Sequence, residues 1–520
     1  MIRLTVAAAL VGTLIAVGTG GSVAAARTAS VISPVVDCAA LTTLVSGSTT
    51  IATAAPETVS GHGYCDVHGT TAPQIGFEIL LPSSDWQGQY LQEGCGGLCG
   101  SVELSTTPPV GLDCRPALDG RLVIAADDSG HVDADLTDAS WAKGDPAARL
   151  SFAVTSEHRL RYASAAVMSA FYGRAPSHTY FDGCSTGGRQ ALMLAQRFPD
   201  DFDGILAGSS AINLAPLSGM LLPWLVQHNT DRTGHQIVTA EKLLALHAAV
   251  LRQCAGAKGV IADPRQCAFQ PSSIRCAAGT DTDSCLTAAQ VAAVRAFYRG
   301  PTDPAGHRLY DGGLPYGSEL GWAATFIAPA SDQNAPGDTY DARISLSYLK
   351  YMAFPRDPKP GFTLADVHFT DAELARLQVE GATINATDPD LTAFRDHGGK
   401  IIIYHGWADP AIPPFSTIDY YADVERTMGG FGASQTFSRL YMIPGGYHCL
   451  FGPDFTSPTE LALPELLTPL MTWVQQGRAP GAEKAPIISL TDGSTLVHQS
   501  VSPYDALAPV HPAPGSLNSG

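Results

Sequence analysis

The chain has 520 residues, a formal net charge of −18 and an apolar share of 45%. That apolar share excludes a disordered chain, and the length accommodates an α/β core carrying a large insertion. The acidic balance excludes a basic nucleic-acid footprint and attraction to anionic surfaces, so neither a nucleic-acid nor a membrane partner is expected.

Residues 1–26 read as a secretory signal peptide. Arg3 supplies the positive start, residues 4–17 the apolar run, and Ala24, Ala25 and Ala26 the small residues for cleavage ahead of Arg27. The apolar run is short and interrupted by glycine, which argues against a membrane anchor. The expected location is extracellular. Eleven cysteines follow: Cys38, Cys65, Cys95, Cys99, Cys114, Cys184, Cys254, Cys267, Cys276, Cys285 and Cys449. In a secreted chain most should pair, and the odd count leaves one over. Zinc is the alternative for Cys95 and Cys99, but no nearby cysteine–histidine cluster completes a tetrahedral site.

From residue 27 to 213 apolar runs alternate with helical patterns. Residues 75–81 read as a strand closed by Pro82, 122–126 as a buried strand and 148–171 as a long helix. Residues 179–181 form a short strand, and 190–198 continue a helix stopped by Pro199. Such alternation indicates a mostly parallel sheet. From 214 to 395 the pattern changes. Thr239 caps a helix over 240–253, a cysteine-rich loop follows, and Thr287 caps a helix running to Tyr298. Irregular Gly/Pro/Asp-rich sequence then continues to about 360. This region reads as a lid inserted into the core. The core resumes over 396–505, with strands at 400–404 and 439–443 and a closing helix at 461–476. Residues 506–520 read as a loose Pro/Ala/Ser-rich tail.

Gly183-Cys184-Ser185-Thr186-Gly187 fits the G-x-S-x-G nucleophile elbow, with a strand before it and a helix after it. The sharp turn needs small flanking residues and lifts the Ser185 hydroxyl above the sheet edge. The Thr186 N–H then points to where an oxyanion would form. A serine hydroxyl needs a base and an orienting acid, which in this architecture follow in the order acid, then histidine. Asp409 and His448 lie on loops just past the strands at 400–404 and 439–443. They are the expected acid and base. His405 is a rival base, but it shares the acid's loop and is expected to pack or support instead. The second oxyanion donor is expected from Gly94-Cys95-Gly96-Gly97-Leu98-Cys99-Gly100, with Gly97 the assigned residue. Cys184 precedes the serine and Cys449 follows the histidine. If Ser185 and His448 touch, these two cysteines are within disulfide reach. Cys38 and Cys65 are also counted as disulfide cysteines, whereas the partners of Cys95, Cys99 and Cys114 stay open.

With these residues in view, the sequence closely resembles the tannase and feruloyl esterase family. The resemblance is carried by Gly183-Cys184-Ser185-Thr186-Gly187-Gly188-Arg189-Gln190, Arg197-Phe198-Pro199, Asp201-Phe202-Asp203-Gly204-Ile205, Asp128-Ser129-Gly130-His131, His405-Gly406-Trp407 and His448-Cys449. It implies an α/β-hydrolase core with a mostly parallel sheet, a lid between nucleophile and acid, and a triad of Ser185, Asp409 and His448 braced by Cys184–Cys449. It also implies a small-molecule aromatic ester as substrate: a galloyl or feruloyl ester, or a terephthalate half-ester. Lids of this family usually carry a calcium loop rich in aspartate. Here the matching stretch, 254–264, offers Ala257 and Lys258 where carboxylates are expected. Asp263 alone cannot supply six to eight oxygen ligands, so the calcium site is expected to be lost and no cofactor is expected. Cys254–Cys267 and Cys276–Cys285 are expected to hold the lid instead. No Lys or Arg falls between Leu320 and Ala342, which weakens recognition of a free carboxylate; Arg343 lies just beyond. Trp322, Phe326 and Tyr340 could either sandwich a phenolic ring or pack the lid. The expected activity is serine-dependent hydrolysis of aromatic-acid esters. A serine peptidase and a non-catalytic secreted binding protein on a hydrolase scaffold are the alternatives.

Overall fold

The computed structural model describes residues 30–44, 47–102, 104, 119–332, 335–454, 459–462 and 465–510. The expected signal peptide, Cys114 and the last ten residues of the expected tail lie outside them. Apolar residues at consecutive positions, rather than alternate ones, identify strands buried on both faces. Such runs supply the central strands of a nine-stranded sheet in the order β1-β2-β3-β5-β4-β6-β7-β8-β9. The strands are β1 (Thr49–Val59), β2 (His62–Thr71), β3 (Ile75–Pro82), β4 (Gln89–Glu93), β5 (Leu122–Asp127), β6 (His178–Cys184), β7 (Gly204–Gly208), β8 (Lys400–Gly406) and β9 (Ser438–Ile443). β1, β2, β3 and β5 pair antiparallel, and β5, β4, β6, β7, β8 and β9 run parallel.

Successive residues of β5 enter different cores. Val123 and Ala125 pack with Leu160 and Val167 on one face, while Leu122 and Ile124 pack with Leu467 and Leu470 on the other. Both faces are therefore dry, as a parallel sheet requires. The residues between β7 and β8 add no strand to this sheet; many of them pack in a third core, which also takes in Cys95, Leu98, Phe152 and Ala153. Cys254–Cys267 and Cys276–Cys285 staple that region, and Cys38–Cys65 ties the N-terminal segment to β2. No helix among the described residues is long and apolar enough to cross a membrane.

Several elements depart from the sequence reading. The expected helix over 148–171 is Pro146–Leu150 and Ser156–Tyr172 joined by a π-helical turn, Ser151–Thr155. Thr239 makes no side-chain cap, and a 3-10 turn, Ala240–Lys242, precedes the helix Leu243–Cys254. Thr287 does cap Ala288–Arg299, in a reciprocal box with Gln290. The stretch read as irregular contains the helix Tyr340–Tyr351. The closing helix begins only at Leu467, because Glu460–Ala462 pairs as a strand with Ile487–Ser489. Toward the C-terminus, the Leu507 N–H donates to Glu425.

Arg189 is one of several links between the sheet's flanking helices and the residues between β7 and β8. Its side chain is fully buried and donates to the carbonyls of Phe152, Ala153 and Ile384 at 2.7–3.2 Å. Its guanidinium also lies 5.1 Å from the Phe152 ring centroid. Burial lowers its pKa to about 10, so it stays charged at neutral pH. Arg189→Met removes every donor and strands buried carbonyls. A loss of at least about 3 kcal/mol is expected, read as a lower urea midpoint.

Candidate functional site

The carboxyl ends of β4, β6, β7, β8 and β9 reach one edge of the sheet, where parallel α/β sheets gather their functional loops. Ser185 follows β6 directly and precedes the helix Thr186–Arg197. Its φ of 64° and ψ of −120° lie in a region that side-chain-bearing residues rarely occupy. The turn holds because its N–H donates to Gly208 and its carbonyl accepts from Arg189 and Ala211. A Cβ at Gly183 would stand 2.5 Å from the Gly187 carbonyl carbon, and one at Gly187 would stand 3.1 Å from that of Gly94. The elbow thus closes only with glycine at position 183, and Gly187 admits the Gly94 loop close against it.

That loop is anchored on several sides. Cys95 pairs with Cys99, answering the question the sequence left open. The Cys95, Leu98 and Cys99 amides donate to Gln190, Leu136 and Gly96, respectively. Gly97 lines the pocket, and the Thr186 hydroxyl donates to its carbonyl. Its φ is 54°, and a Cβ there would meet the Leu136 oxygen at 2.6 Å. His131, stacked on Trp141 at 3.6 Å, reaches the Leu98 carbonyl at 3.0 Å. Burial lowers the His131 pKa to about 4, so the ring is neutral and can support the loop without adding charge.

Asp409, fully buried, follows β8, and His448 follows β9. His448 Nδ1 meets Asp409 Oδ2 at 2.9 Å. Asp409 Oδ1 accepts from the Ala411 and Ile412 amides, each at 3.0 Å. Burial pushes the Asp409 pKa up, but His448 and then His405 more than reverse it. The carboxylate is held well below its ordinary range and is ionised at neutral pH. His405 is fully buried, with Nδ1 at 2.8 Å from the Thr417 hydroxyl and Nε2 at 2.8 Å from the Ile412 carbonyl and 3.2 Å from Asp409 Oδ2. It sits behind the acid and does not line the pocket.

Ser185, Thr186, Gly97 and His448 line one small pocket of about 50 Å³. Its far wall is mainly apolar: Leu214, Leu217, Leu222, Ile344 and Ile412, with Tyr340 and Asp341 between them. Cys184 and Cys449, next in sequence to the serine and the histidine, form a disulfide with their Cα atoms 5.8 Å apart. Of the three aromatic residues singled out in the sequence, Tyr340 reaches the pocket. Trp322 and Phe326 do not, since both are fully buried against Phe297 in the insertion's core. Asp341 was missed, because an acid on an unrecognised helix carries no motif.

The family model described as tannase and feruloyl esterase matches residues 58–508. The chain belongs to this family. It is accordingly an ester hydrolase with an α/β-hydrolase fold. Similar proteins include an uncharacterized esterase of Xanthomonas campestris pv. campestris, 33% identical, with 92% of this chain and 88% of that protein covered. A mono(2-hydroxyethyl) terephthalate hydrolase of Piscinibacter sakaiensis is 32% identical, with 82% and 79% covered. The crystal structure of feruloyl esterase B from Aspergillus oryzae superposes with a TM-score of 0.74 at 23% identity, covering 90% of this chain and 95% of that one.

The bridge between Cys184 and Cys449 closes a loop of 265 residues. On chain-entropy grounds it contributes at most about 5–6 kcal/mol. Cys184→Ser with Cys449→Ser is expected to lower both the unfolding midpoint and esterase turnover. Unchanged turnover after verified loss of the bridge would remove its bracing role.

Proposed function

We propose that the chain is a secreted serine esterase that cleaves esters of phenolic acids, such as feruloyl or galloyl esters, through an acyl-enzyme. The observation that carries the reading is the Asp409–His448 hydrogen bond, at 2.9 Å, beside a pocket that also holds the strained Ser185. Asp409 fixes the tautomer: with Nδ1 donating to the carboxylate, Nε2 is the nitrogen that exchanges the proton. Ser185 Oγ attacks the ester carbonyl as His448 takes its proton. The oxyanion settles on the N–H groups of Thr186 and Gly97, near a helix N-terminus. His448 then protonates the leaving alcohol. In the second half a water, deprotonated by His448, attacks the acyl carbon and releases Ser185.

Gly97 is favoured as the second donor because the neighbouring Cys95, Leu98 and Cys99 amides are already engaged. The names of the family and of its feruloyl esterase relatives support the substrate class. A terephthalate half-ester is less favoured. Arg343, on the helix that carries Tyr340 and Asp341, lies 3.6 Å from Asp135 and 4.0 Å from Asp338 and is nearly half exposed. Five disulfides among the described residues support an oxidising, extracellular location.

A fluorophosphonate probe tests the nucleophile. The native protein should label, and Ser185→Ala should not. Absence of labelling in the native protein would favour a binding protein on a hydrolase scaffold. Asp409→Asn should keep the fold and lower kcat by about 10³–10⁴-fold on methyl ferulate, through loss of the productive histidine tautomer. A peptide substrate cleaved faster than any of these esters would favour the peptidase alternative.

The residues at the family's calcium loop do not fit that ion. Asp263, the carboxylate nearest to hand, gives Oδ1 to the Arg265 amide and Nε and Oδ2 to Nη2 at 2.7–3.0 Å. Ala257 and Lys258 offer no side-chain oxygen. Hard cations need six or more oxygens, so the mechanism uses none. Millimolar calcium is expected to leave the melting temperature unchanged, and a clear rise would overturn this reading.

A further inference from the structure

Asp341 stands out among the polar groups around the pocket. It occupies the first turn of Tyr340–Tyr351 and lines the same pocket as Ser185 and His448, yet its side chain is only 1% exposed. Oδ2 is sealed from solvent with no hydrogen-bond partner among the described residues. A buried carboxyl oxygen without a partner is costly. A group retained at that cost inside a ligand pocket is suited to a partner that arrives with the ligand. The surrounding wall is formed by Leu217, Leu222 and Ile344, and the described residues lining the pocket include no Lys or Arg.

We infer that Asp341 is a specificity-determining residue that hydrogen-bonds a hydroxyl on the aromatic ring of the acyl group. The inference rests on the aromatic-ester reading above. Burial alone raises the Asp341 pKa to about 8, so at neutral pH the side chain is chiefly the neutral acid. A neutral carboxyl both donates and accepts, as a phenol does. The two therefore satisfy each other without burying a charge, whereas a ring bearing a free carboxylate would bring an anion to a pocket lined by no Lys or Arg among the described residues. Apolar walls with one such group match a flat ring carrying a polar substituent. Discrimination of this kind can be steep, because an unhydroxylated ring desolvates the acid and leaves it unpaired.

The test compares kcat/KM for methyl 4-hydroxycinnamate and methyl cinnamate in the native enzyme, Asp341→Asn and Asp341→Ala. The native enzyme should favour the hydroxylated ester by about tenfold or more. Asn keeps a donor and an acceptor, so Asp341→Asn should hold that ratio within about threefold, while Asp341→Ala should bring it near unity. A purely structural role would change stability, or both esters alike, and leave the ratio where it was. A native ratio near unity, or one that survives Asp341→Ala, would overturn the role of Asp341 while leaving the esterase reading in place. Fluorophosphonate labelling of Ser185 together with hydrolysis of neither ester would overturn the aromatic-ester reading, and this inference with it.

Discussion

Two segments 265 residues apart in sequence meet at the sulfurs of Cys184 and Cys449, and the geometry of the candidate site follows from that junction. One cysteine ends β6 immediately before the elbow, and the other sits immediately after the histidine that follows β9. Between these strands in the sheet lie β7 and β8, so the bridge joins turns whose strands are not neighbours. Backbone strain is concentrated at the same place. Ser185, Cys449 and Leu450 all take positive φ values, which none of their side chains favours. A covalent tie between two strained turns keeps each from relaxing independently.

The electrostatics are built around the same junction. Asp409 is buried with every oxygen engaged: two backbone amides on one, and histidine nitrogens close to the other. Such a carboxylate cannot rotate to find another partner, and the imidazole it holds cannot either. His405 contributes by filling the space behind the acid with a ring anchored on Thr417. The Gly94–Gly100 side of the pocket is organised differently. The short disulfide loop has carbonyls and amides occupied by His131, Gln190 and Leu136, so its shape is set by hydrogen bonds from two separate parts of the chain, the segment after β5 and the helix after Ser185.

Where sequence and structure agree, the signal was local. The elbow at Ser185 needs only five residues with a strand before and a helix after. Asp409 and His448 each follow an apolar strand by a few positions, so topology alone carries them to one edge. The capping box at Thr287 was legible for the same reason. What escaped depended on long-range contact. β1 and β2 are rich in Thr, Ala, Gly and His, and they form by pairing with each other and with β3 rather than by an apolar pattern of their own. Tyr340–Tyr351 is flanked by Pro- and Gly-containing sequence that hid its period, and Asp341 went with it. Trp322 and Phe326 were legible as aromatic, but only packing decides whether a ring faces a cavity or another ring.

Arg189 holds the insertion through main-chain oxygens only, those of Phe152 and Ala153 on one side and Ile384 on the other. A carbonyl is present at every position whatever side chain accompanies it. The attachment therefore places little demand on the identity of the residues it grips, provided the backbone path is kept.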